Sequence, residues 1–197
     1  MSSQTSIPHY RETLFQYTEL NIIHGEPNYE TLRTLTNHLK ANARLVHTTL
    51  GDGLRGHLGL VLTPAQYTMF SNTPYVCPPR PSPLVISAYQ LPHVVHMAQA
   101  RHSEQVCLFN ESNNVDQALK QQLIKAIDDA YLTPLHNCHT YTIDISILVI
   151  INDMFTNHGH VSPVVLQEEE KIVKKMIYDP AHHANVIFNK VEDLLDL

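Results

Sequence analysis

Gly51, Gly53 and Gly56 stand in "GDGLRG" as G-x-G-x-x-G. With that spacing a backbone can cradle a dinucleotide pyrophosphate, provided that a strand precedes the glycines and a helix follows them. Here a helical pattern comes before the glycines and an apolar "LGLVL" comes after. About twenty residues on, where an acidic residue would hold the ribose, the chain reads "FSNTPYVCPP". The expectation is a tight turn between helices, because glycine reaches positive φ without strain.

The other reactive residue types make no constellation. The chain has 14 histidines but no H-E-x-x-H. His93 and His96 can share a helix face, yet neither has a carboxylate or Cys at i+4 to complete a metal site. His158 and His160 flank Gly159, which a glycine turn explains equally well. Asp128 and Asp129 are paired in sequence, but consecutive helical residues point about 100° apart and do not converge on one substrate. They read as a solvated helix face. Cys77, Cys107 and Cys138 form no C-x-x-C and read as reduced thiols. No catalytic, cofactor-binding or metal-ligating residue is assigned, and the chain is not expected to be an enzyme.

Charge narrows the partners. The 197 residues carry a formal net charge of −6, which gives no electrostatic attraction to a phosphate backbone. Lys171, Lys174 and Lys175 are offset by Glu168, Glu169 and Glu170. The N-terminus lacks the apolar core of a signal peptide. The most apolar run, "IDISILVII", is far shorter than the ~20 residues of a membrane helix. A soluble, cytoplasmic protein without membrane contact is expected.

The elements that would position these residues are helical. "LFQYTELNIIHGEP" reads as extended chain or a short hairpin. Leu32, Leu35, Leu39, Ala43 and Val46 recur at three or four residues, with Asn28 as N-cap, so a helix should run toward Gly51. Thr63, Pro64 and Gln66 open a short helix as N-cap, N1 and N3. Five prolines between 74 and 83 make a stiff surface loop in which Pro78 and Pro81 spell P-x-x-P. Residues 92 to 109 form one expected helix and "VDQALKQQLIKAIDDAYL" a second. In "TIDISILVIINDMF" a buried helix is favoured over a strand, because the apolar pattern outlasts a typical strand. Ser162 with Pro163, and Asp179 with Pro180, start the last two helices. In the final one Ile187, Phe188, Val191, Leu194 and Leu195 make a near-heptad apolar stripe. Such a stripe needs cover, from its own chain or from another molecule.

Four blocks carry a resemblance when taken in order: "HGEPNYETLRTLTNHLKANARLV", "GHLGLVLTPAQYTMFSNTPYV", "VDQALKQQLIKAIDDAYLTPLHN" and the stretch from "MFTNHGHVSP" through "YDPAHHANVIFNKVEDLLDL". Together they resemble the Gag, or capsid, portion of copia-type LTR retrotransposon polyproteins, from about Ile23 to Leu197. The resemblance implies an all-α chain in three parts. These are an extended N-terminal segment (1–28), a capsid N-terminal-like helical domain (29–158) and a helical segment (160–197) like the opening of a second, incomplete capsid domain. It implies a structural protein that self-assembles into oligomers or virus-like particles packaging element RNA. It also implies that RNA is reached only through a nucleic-acid-binding region not contained in these residues. Ile187, Phe188, Val191, Leu194 and Leu195 are then the expected self-association residues, since the corresponding region of the family helps subunits associate. The alternative is a captured Gag-like helical adaptor that binds host proteins or peptides without assembling.

Overall fold

A computed structural model describes residues 6–87, 89–160, 167, 168, 170–172, 174 and 175. The described residues are helical and contain no strand, as an all-α chain requires. Three helices make the core: α2 (Tyr29–Leu45), α4 (Pro92–Ala126) and α6 (Ile147–His158). Two short helices, α3 (Pro64–Thr68) and α5 (Asp129–Leu132), join them. A single turn, α1 (Ile7–His9), runs into a π-helical turn, Tyr10–Leu14.

Helix α2 starts where its cap residues dictate. The Thr31 amide donates to Asn28 Oδ1, and the Asn28 amide donates to Thr31 Oγ1, both at 3.0 Å. Two of the amides that a helix start leaves unpaired are thus satisfied. The expected stripe of Leu32, Leu35, Leu39, Ala43 and Val46 is buried. It packs on Val115, Leu119 and Leu123 of α4 and on Ile147, Ile150 and Met154 of α6. Burial is worth roughly 1.5–3 kcal/mol for each large aliphatic side chain, so this three-helix seam dominates the fold's stability. Helix α3 opens with Thr63 and Gln66 in the expected reciprocal cap. Ser146 caps α6, accepting from the Val149 amide.

The expected break between residues 109 and 115 does not occur. Pro92–Ala126 is one helix of 35 residues, about 50 Å long at 1.5 Å per residue. "FNESNN" contains only mild helix-disfavouring residues, each worth well under ~1 kcal/mol, and no Gly or Pro. The helix instead ends at Ile127, and Asp128 caps α5 by accepting from the Ala130 amide at 2.9 Å. Asp128 and Asp129 are therefore a cap and a first-turn residue, both exposed, and not the side of a continuing helix.

Residues 15–27 contain no helix or strand, so the hairpin alternative is not realised. The segment preceding them is helical at residues 7–14, where extended chain was expected. Tyr10, Phe15, Leu20 and Ile23 insert into the core. A buried clamp holds the extended part. Asn42 of α2 accepts from the Tyr17 amide and donates to the Tyr17 carbonyl, each at 2.8 Å. Gln122 of α4 donates to the carbonyls of Tyr17 and Thr18 and accepts from Asn42 Nδ2. The Ile23 amide then donates to the Ala126 carbonyl at the end of α4. Two side-chain amides so give the extended segment the backbone partners a β-neighbour would supply.

Beyond Gly159 the described residues between 167 and 175 are helical, with a Lys174–Glu170 ion pair at 2.6 Å. The cap residues Ser162 and Pro163 lie outside the described residues. So does the whole of the expected last helix, with Ile187, Phe188, Val191, Leu194 and Leu195.

Candidate functional site

The glycine motif is a turn. Gly51, Gly53 and Gly56 all adopt positive φ, at 65°, 72° and 55°. Four amides of the loop and its exit are already bonded within the protein. Those of Gly53 and Leu58 donate to the Leu50 and Arg55 carbonyls, that of Leu54 to Asp52 Oδ1, and that of His57 to the Ala43 carbonyl. The last bond folds the loop back onto the end of α2, where helical carbonyls lack partners.

This turn delivers His57 into the protein with no exposed surface. Its Nδ1 lies 2.9 Å from the Tyr75 hydroxyl and its Nε2 lies 3.1 Å from Glu111 Oε1. A carboxylate only accepts, so a neutral imidazole satisfies both contacts with Nε2–H donating to Glu111 and Nδ1 accepting from Tyr75 O–H. Burial pushes the Tyr75 phenol well above its usual range. The phenol therefore stays protonated and is not a nucleophile. Tyr75 also lies against Gly59, where any Cβ would collide with its ring. The relay ties the Pro-rich loop, through Tyr75, to α4, through Glu111. Its geometry resembles a nucleophile–base–carboxylate set, but its reactive position is occupied by a half-buried, protonated phenol.

A cleft of about 520 Å³ separates α2 from α6. Arg33, Asn37 and Lys40 of α2 line one side, and Asn152 and Thr156 of α6 the other. Among the described residues no carboxylate lines it. Arg33, Asn37 and Lys40 recur at i, i+4 and i+7, a polar stripe legible beside the apolar one but not singled out from sequence.

The most exposed apolar surface lies elsewhere. The first buried residue of α4 is Ser112. The stretch of helix before it, residues 92–111 and about 30 Å long, has no buried residue. Leu91, Val94 and Met97 are exposed there, as are Val85, Ile86 and Tyr89 in the segment leading in. His93 and His96 are exposed on the same stretch and His102 is half-buried. All three cysteines are free and exposed. Packing around the Cys77 sulfur pushes its thiol pKa up, which lowers its reactivity. Among the described residues no three His, Cys, Asp or Glu side chains converge to hold a metal. No described helix is long and apolar enough to cross a membrane.

The chain matches no protein-family model, no curated protein and no solved structure.

Proposed function

We propose that this chain is a structural capsid subunit of the copia-type Gag kind. It self-associates in the cytoplasm into oligomers or virus-like particles, and element RNA is packaged through a region outside these residues. The observation that carries the reading is the division of α4. Its C-terminal half builds a three-helix core, and its N-terminal half holds apolar side chains in water at the surface. Exposed apolar surface of this kind suits contact between proteins. The order of the four sequence blocks supplies the family. The adaptor alternative draws on the largely exposed Pro-rich loop, in which Pro78 and Pro81 are half-buried, as a surface for docking of or to a peptide.

The C-terminal stripe gives the first test. Replacing Val191 and Leu195 together by Lys should dissociate the oligomers by at least tenfold in concentration. Helical circular dichroism and a cooperative melt should persist. Loss of the cooperative melt would assign the stripe to the subunit's own core. A folded double variant that remains fully oligomeric would place the association surface elsewhere.

A further inference from the structure

We propose that the N-terminal half of α4 pairs with the same half-helix of a second copy, antiparallel and about a twofold axis near residues 102 and 103. The inference rests on the self-association reading and adds a specific surface to it.

Val94, Met97, Arg101, Glu104 and Leu108 follow one another at steps of three, four, three and four. That is the a/d spacing of a two-helix seam. Val94 and Met97 are 40% and 64% exposed, Arg101 and Glu104 are exposed, and Leu108 is half-buried. A second stripe, Val95, Ala98, His102 and Val106, is half-buried in the subunit. The first stripe is thus the open one.

The stripe is complementary to itself. With the axis between residues 102 and 103, Arg101 of one copy meets Glu104 of the other, and the reverse pair forms by symmetry. Met97 meets Leu108 in the same register. No other Asp, Glu, Lys or Arg occurs between residues 84 and 109, so this stretch is neutral on a chain of net charge −6. Two acidic subunits can approach here without the repulsion they meet over the rest of their surface. Leu91, Val94 and Met97 add exposed apolar surface along the same side of the seam.

Charge reversal tests the pairing on the full chain, read by sedimentation equilibrium. Arg101→Glu sets two like charges against each other across the axis and should weaken self-association at least tenfold. Glu104→Arg alone should do the same. Mixing the two variants, or combining both changes in one chain, should restore association to within about threefold of the original. Both positions are exposed, so circular dichroism should not change. If Arg101→Glu leaves association unchanged, or if neither the mixture nor the swapped chain recovers, the pairing is wrong. Self-association that survives all these variants leaves the capsid reading standing and removes only this surface. A chain that stays monomeric at every concentration removes both.

Discussion

Asn42→Ala is expected to cost about 3 kcal/mol of stability. The substitution removes three hydrogen bonds made by one fully buried side chain. The Tyr17 amide and Gln122 Oε1 lose their partners, and each buried polar group left unpaired costs about 1–3 kcal/mol. The Tyr17 carbonyl keeps its bond from Gln122, so the loss is smaller than the full set. In a chain of this size each kcal/mol lowers the melting temperature by about 2–4 °C, which gives a fall of roughly 6–12 °C. Asn37→Ala, on the exposed side of the same helix, should stay within about 0.5 kcal/mol. Thermal melts followed by circular dichroism compare the two. Equal, small effects would mean that the clamp does not hold residues 15–23 against α2 and α4.

Gly56→Ala is expected to cost more, about 3–5 kcal/mol, because two effects combine. Its φ of 55° is a left-handed conformation that side chains rarely adopt, and an added Cβ would press on three carbonyl oxygens. Those of Val46 and Ala43 would lie at 2.7 and 2.8 Å, and that of Arg44 nearer still. None is a flexible side-chain end that can swing away. Gly53→Ala shares the positive φ, at 72°, but its Cβ would meet only the Thr48 carbonyl oxygen, at 3.6 Å. It should cost about 1–2 kcal/mol. Urea denaturation of the two variants gives the ratio. Equal losses would contradict a turn packed onto the end of α2 at Gly56.

The same contrast explains what the sequence made legible. Helices α2 and α3 announce themselves locally, because cap residues and helical spacing lie within a few positions of one another. Helix α6, by contrast, was favoured only on the length of its apolar pattern, and its start at Ile147, capped by Ser146, was not read. The turn at Gly51–Gly56 was readable for a similar reason, since the elements on either side were in the wrong order for a nucleotide. Interactions that close over long separations left weaker marks. Asn42 bonds Tyr17 across 25 residues and Gln122 across 80. Its only local sign is a polar residue beside Ala43 in an otherwise apolar stripe. His57 likewise sits in "GHLGLVL", where a polar ring in an apolar run hints at a buried partner without saying which. The continuity of α4 was missed because "FNESNN" reads as a weak helix former, and neighbouring helical turns carried it through. The turn at Ile7–Leu14 was missed because it is short and draws its stability from Tyr10 inserting into a core built by distant residues. The surface half of α4 was legible as a helix, but its exposure depends on where the rest of the chain packs.

The central claim is that this chain is a self-assembling structural subunit. Negative-stain electron microscopy of the purified protein tests it most directly. The capsid reading predicts regular particles, tubes or discrete oligomers of uniform size. A field of monomers at concentrations up to those used for assembly would contradict it and leave the adaptor reading in its place.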